Sequence, residues 1–524
     1  MKCNGFTRLA LLLCGLCLLL CGLSFTAIAE ESEEEDSAPK TYSMDFDDQK
    51  SWEIETKKKV TYGYTRVVYC EYPTHPSHQA INLYVPAEYL NEDGSVNTEA
   101  QVGDYTAETA PILYINSIGA YLGVSPYKLK STVTRAGNNL WYYNYLRQGY
   151  VLAFVGGRGR TQNVETEDGT AITNGKAPIG LVDLKAGVRF LKANSGKFPG
   201  DTNKIISNGM SAGGAMSVLL GVTGNSGYYL PYLEEMGAVM DATDDVYAVQ
   251  AYCPIIDLEY AGQGYEWMFG GHDSKDFPAT AYTAALSEAM AEQYVQHIAE
   301  LELGYTLENG AKGGSLYDWL IVQYEAGFEA YVARGGDTAD VDAYDWLSYD
   351  TETGKATVTS IDEIIESGYY GRSKVIGAFD TYELSSSENS LFGKNGVEVG
   401  SSDERRHYSV PMAELLPSLL DAYPTEAQEY VDAYSEVYDD ELQEQVWAMN
   451  PYHFVEDETT TKAQYYRICV GTKDTDTSPS ISGSFALLLQ KAGFDVQYEL
   501  IWNEIHTDAD YENGFESWVD SVCK

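Results

Sequence analysis

The sequence predicts an α/β fold: a mainly parallel sheet with crossover helices, interrupted by one large and mostly helical insertion. Three observations carry this expectation. Short apolar runs of strand length recur up to about residue 257, as in strands buried on both faces. Patterns of helical period lie between several of them, which implies parallel strands joined by crossovers. After residue 257 the helical period takes over, and strand-like runs return only at residue 465.

In chain order, Lys2 and Arg8 precede an apolar run from Leu9 to Leu20, and Ala27-Ile28-Ala29 offers an A-x-A site. This reads as a signal peptide over 1–29, cleaved after Ala29, with a secreted product. The run is short for a membrane span, so no membrane association is expected after cleavage. Residues 30–58 open with EESEEEDSAPK and read as an acidic linker. A strand-rich start follows in KVTYGYTRVVYC (59–70) and AINLYVP (80–86). The buried-strand runs are PILYIN (111–116), YVLAFVG (150–156), KIISNG (204–209) and AVQAYCP (248–254). GLVDLKAGVRFLKAN at 180–194 has apolar residues at three- and four-residue steps, as a helix does. The insertion spans 258–445, with helical patterns at 279–301, 315–334, 411–422 and 425–448. YYRICVG (465–471) and DVQYELIW (495–502) complete the sheet. The core is thus 59–257 with 446–524, and the insertion would sit over the carboxyl ends of the strands, where open α/β sheets bind ligands.

Composition narrows the function. The 524 residues carry a net charge of −45, which repels phosphate backbones and excludes nucleic acid as a partner. Such acidity suits solubility outside the cell. The 43 tyrosines are ordinary amphipathic packing or the lining of an aromatic cleft. Cys70, Cys253, Cys469 and Cys523 are far apart and have no metal-knuckle spacing. Cys253 and Cys469 fall in strand runs and read as buried thiols. No metal or organic cofactor is implied.

Gly209-Met210-Ser211-Ala212-Gly213 fits G-x-S-x-G, with an apolar strand running in and an Ala/Met/Leu helix pattern running out. That context is a nucleophile elbow, which needs glycine where a Cβ would clash and exposes the serine oxygen. A serine needs a base. Of seven histidines, His75 and His78 precede the sheet, His272, His297 and His407 lie in the insertion, and His453 precedes the penultimate strand. His506 follows the last strand, where the base of an elbow serine belongs. The acid should follow the preceding strand. Asp474, three residues past Gly471, is preferred, and Asp476 is its rival. The oxyanion donors would be the N–H groups of Ala212 and, from the NSIGAY loop (116–121), Ala120.

Beyond these motifs the chain resembles bacterial tannase (tannin acyl hydrolase). The likeness runs through PILYINSIGAYL, GRGRT (157–161), NGMSAGGAMSVLLGVTGNS, ATDDVYAVQAYCPI, YEWMFGG (265–271), AFDTYELSSSENSLFG (378–393) and GTKDTDTS (471–478). The resemblance implies an α/β-hydrolase fold with a lid and a serine carboxylesterase acting on galloyl esters. It further implies a clamp on the three ring hydroxyls, formed here by Lys374, Glu388 and Asp476. Carboxylates accept from phenolic hydroxyls and an ammonium donates to one. The chain departs from the pattern in helical stretches before Lys374 and in its export signal. Two other functions fit parts of the pattern: a feruloyl or acetyl esterase on plant polysaccharide, and a non-catalytic polyphenol- or carbohydrate-binding protein. The expected partner is a small aromatic ester.

Overall fold

The computed structural model describes residues 41–129, 138–272, 279–308 and 312–524. The expected signal peptide and the acidic run at 30–40 lie outside the described residues.

A nine-stranded sheet forms the spine. Its strands are β1 (Glu53–Lys57), β2 (Val60–Val68), β3 (Ala80–Pro86), β4 (Pro111–Asn116), β5 (Val151–Val155), β6 (Asp201–Met210), β7 (Ala248–Tyr252), β8 (Tyr465–Gly471) and β9 (Asp495–Ile501). Their order across the sheet is β1-β2-β3-β5-β4-β6-β7-β8-β9. The first four in that order pair antiparallel, and all later pairs are parallel. Strands β4, β5 and β7 are buried along their whole length, because helices cover both faces. The crossover α1 (Ile179–Ala193) is buried over nearly all its length, as is α2 (Ala212–Val222), whose Ala and Gly residues allow close packing.

The linker expected over 30–58 ends earlier than its composition suggests. Phe46 is fully buried, 5.2 Å from the Phe198 ring, and Glu53–Lys57 forms the sheet's edge strand β1. Lys58 and Lys59 turn the chain into β2 with positive φ. Charged flanks hid one aromatic anchor and one half-exposed strand.

Residues 258–445 are mostly helical, including α3 (Ala261–Phe269), α4 (Ala281–Glu300), α5 (Ser315–Ala333) and the short α6 (Ser387–Leu391). They also hold a hairpin, Leu347–Asp350 with Lys355–Val358, that the sequence reading lacked. The patterns at 411–422 and 425–448 break into short helices, Val410–Leu415, Glu426–Ala433 and Asp440–Ala448. Pro417 and Pro424 stand in the interruptions, and proline removes a helix hydrogen bond. A separate apolar cluster built on Tyr282, Leu286, Met290, Met412, Leu416 and Tyr434 lies within this stretch. Yet Leu316, Leu320, Tyr324 and Phe328 of α5 join the main core. A Cβ on Gly327 would come within 2.3 Å of the Leu500 carbonyl, so α5 packs its backbone directly on β9. All four described cysteines are buried free thiols.

Candidate active site

Strand β6 ends at Met210 and α2 begins at Ala212, leaving Ser211 alone at the turn with φ 59° and ψ −124°. A non-glycine residue with positive φ is strained and persists only when its surroundings hold it. Here the Ser211 N–H donates to the Tyr252 carbonyl at 2.9 Å, and its carbonyl accepts from Ile255 N–H at 3.2 Å. The glycines are required: a Cβ on Gly209 would meet the Gly213 carbonyl at 2.3 Å, and one on Gly213 would meet Asn116 Oδ1 at 2.4 Å.

The same turn is tied to the loop after β4. Gly213 N–H donates to the Ile118 carbonyl (2.9 Å), and Asn116 Nδ2 donates to the Gly213 carbonyl (3.1 Å) and to Ser217 Oγ (3.0 Å). Ala120 and Tyr121 both take positive φ, 48° and 56°. Arg160 Nε donates to the Ala120 carbonyl at 2.7 Å, and Arg160 N–H donates to that of Tyr121 at 2.8 Å. Ala212 opens α2, where the first N–H groups of a helix have no partner within it.

Past the end of β8, Asp474 is buried and its Oδ2 lies 2.8 Å from His506 Nδ1. Its Oδ1 accepts from Asp476 N–H at 2.8 Å, so Asp474, not Asp476, faces the imidazole. Burial pulls the His506 pKa down, but the charge and hydrogen bond of Asp474 outweigh it, and the net displacement is upward. Other imidazoles also meet buried carboxylates: His297 pairs with Asp257 and His407 with Asp380. An acid–imidazole contact alone therefore does not mark a base. His506 differs in sharing the strand ends with Ser211, because residues 252–255 bond the serine backbone while Cys253 sits beside Asp474 and His506.

Cys253, Asp474 and His506 place their ligating atoms within 4.8 Å of one another, the only grouping of this kind among the described residues. Asp474 is already engaged on both oxygens, by His506 and by Asp476 N–H, and burial, followed by the Asp474 charge, pushes the Cys253 thiol well up. Cys253 packs as a thiol behind the acid. The sequence marked it as buried without marking this neighbourhood.

Lys374 and Asp476 meet, with Nζ to Oδ1 at 3.4 Å and side chains 26% and 42% exposed. The Lys374 ammonium also lies 5.0 Å from the Phe379 ring centre. Burial would lower its pKa, but Asp476 and then Glu388 raise it, and they prevail. Glu388, on α6, is buried; burial pushes its carboxyl up, opposed by Lys374 and Arg160. His506 feels both Asp476 and Lys374. The three residues implied by the resemblance thus share one electrostatic neighbourhood with the acid–imidazole pair. Sequence reasoning passed over Arg160, Tyr265, Glu266 and Arg372, which support this site; the first three stand inside the quoted GRGRT and YEWMFGG stretches.

A family model described as BD-FAE, an α/β-hydrolase family, matches residues 164–293. No curated protein sequence matches the chain. Among solved structures, a tannin acyl hydrolase in complex with 3,4-dihydroxybenzoate is 31% identical, with a TM-score of 0.76 over 92% of this chain and 99% of that one. The chain belongs to the bacterial tannase family. Tannase from Lactobacillus plantarum is 30% identical, with a TM-score of 0.76 over 92% of this chain and all of that one. Tannase from Fusobacterium nucleatum is 29% identical, with a TM-score of 0.73 at the same 92% coverage of this chain. The resemblance read from scattered motifs therefore extends over the whole tannase fold. Like those tannases, this family member is a carboxylic ester hydrolase of α/β-hydrolase architecture.

Proposed function

We propose that this chain is an exported esterase that hydrolyses galloyl esters through Ser211, His506 and Asp474. The observation that carries the reading is the Lys374–Asp476 pair standing two residues along the loop from the Asp474–His506 pair. A ring held at the first pair presents its ester carbonyl towards the elbow. Ser211 attacks that carbonyl while His506 Nε2 takes the hydroxyl proton and returns it to the leaving alcohol. Asp474 fixes the tautomer with hydrogen on Nδ1 and stabilises the imidazolium. The N–H groups of Ala120 and Ala212 receive the oxyanion. Water activated by His506 then releases gallic acid. Lys374, Glu388 and Asp476 bind the ring hydroxyls, and residues 258–445 act as the lid. Solved tannases in complex with 3,4-dihydroxybenzoate and ethyl gallate support a small phenolic substrate. Among the described residues no helix is long and apolar enough to cross a membrane, which is compatible with export.

The test is a set of methyl esters. A ring without hydroxyls gives the clamp nothing to bind and leaves the buried Glu388 carboxyl without a ligand partner, a mismatch worth up to about 10⁴-fold in kcat/KM. Methyl gallate should be cleaved far faster than methyl benzoate, and methyl ferulate poorly, because its methoxy group blocks one contact. Glu388→Ala should remove most gallate activity and little benzoate activity. Equal rates on gallate and benzoate would end the galloyl reading and leave a general carboxylesterase.

A further inference from the structure

One buried hydroxyl joins the lysine and aspartate sides of the ring clamp. Tyr265, on α3, is fully buried. Its hydroxyl donates to the Thr475 carbonyl at 3.0 Å and accepts from the N–H groups of Ser373 (3.0 Å) and Lys374 (3.2 Å). A phenol has one proton and two lone pairs, so this oxygen is saturated. Thr475 is the residue between Asp474 and Asp476. The next residue on α3 continues the grip: Glu266 pairs with Arg372, both almost wholly buried, and Arg372 Nε donates to the Lys374 carbonyl at 2.8 Å. The backbone of Lys374 is therefore held at its N–H by Tyr265 and at its carbonyl by Arg372. Ser373 Oγ adds a parallel bond to the Thr475 carbonyl at 2.6 Å.

Resting on the galloyl reading, we infer that Tyr265 is a positioning residue that sets the spacing of Lys374 and Asp476 and thereby the recognition of ring hydroxyls. The bond that orients the imidazole, from Asp474 Oδ2 to His506, lies outside that tether, and Asp474 Oδ1 accepts from Thr477 N–H (3.4 Å) as well as from Asp476 N–H, which shares its peptide with the Thr475 carbonyl. The hydroxyl of Tyr265 consequently governs binding of the phenolic ring and leaves the proton-transfer geometry alone. Its ring contributes separately, packing 4.6 Å from Phe269 and edge-on to Phe379, the ring beneath the Lys374 ammonium.

Tyr265→Phe keeps that packing and removes the oxygen. The full-length enzyme is assayed on methyl gallate and methyl benzoate, with kcat and KM separated. The variant should raise KM for methyl gallate about tenfold, the equivalent of one hydrogen bond at a desolvated site, with kcat within about threefold. Its kcat/KM for methyl benzoate should stay within about twofold of wild type. Ser373→Ala, at an exposed side chain, should shift the gallate KM in the same direction by about two- to threefold. A wild-type enzyme without gallate preference overturns the galloyl reading and this one together. A wild-type preference that Tyr265→Phe leaves intact overturns this inference alone, as does equal loss on both esters, which marks a merely structural role. If Tyr265→Phe fails to fold, Ser373→Ala decides, and an unchanged gallate KM in that variant rejects the tether.

Discussion

Asp474 and Asp476 stand two residues apart and meet different partners: Asp474 meets an imidazole and Asp476 meets an ammonium. On methyl benzoate, which has no ring hydroxyls, Asp474→Asn should lower kcat by about 10⁴ through loss of imidazole orientation. Asp476→Asn should change it by no more than about threefold; like behaviour of the two variants on this ester would reverse the assignment. The upward displacement of His506 keeps the base protonated to higher pH. The acid limb of kcat/KM should therefore lie above the ordinary histidine value of about 6.5. Asp476 also raises His506, so Asp476→Asn should move that limb to lower pH. Glu388 carries the opposite kind of charge problem. Burial raises its native-state pKa above the unfolded value, so the native state binds this proton more tightly than the unfolded chain does. The stability tied to that proton is present below the unfolded value and lost as pH rises through the native one. Glu388→Gln should accordingly raise the melting temperature at pH 7 by roughly 1–3 °C while lowering methyl gallate turnover, and the gain should vanish near pH 4. Calorimetry at both pH values checks the sign.

At the scale of elements, the strand–turn–helix of β6 and α2 is assembled around missing Cβ atoms. A methyl on Gly213 would meet Asn116 Oδ1 at 2.4 Å and the Ile118 carbonyl at 2.8 Å, so it would push the elbow off the 116–121 loop. Gly213→Ala should destabilise the protein by about 1–3 kcal/mol and reduce turnover of every ester more than tenfold. Gly227→Ala, where a Cβ meets nothing within 4 Å, serves as the neutral control in the same thermal and kinetic assays. The sheet strands were legible because burial on both faces leaves long apolar runs. The hairpin at 347–358 was not, because its four-residue strands alternate buried and exposed positions without an apolar block. Strand β1 escaped for the same reason, with charged residues at both ends and no fully buried position.

For the whole molecule, a net charge of −45 and the signal-peptide pattern at the N-terminus both fit the proposed export. Mass spectrometry of the mature protein should find Glu30 as the first residue. A lipid-modified cysteine at the new terminus would instead make the protein membrane-anchored.

The sequence by itself determined the alternating architecture, the strand–turn–helix at Ser211, the place of His506 after the last strand, and the tannase likeness. These are local or ordinal properties: a period, a tight turn, an order along the chain. That Asp474 and not Asp476 faces the imidazole is visible only in three dimensions, because the two lie on one loop and differ only in which way each carboxylate points. Likewise, Cys253 behind the acid, Arg372 against Glu266 and Tyr265 between Ser373 and Thr475 link residues tens to hundreds of positions apart. No periodicity or spacing records such pairs, since packing selects them after the chain has crossed the sheet and returned.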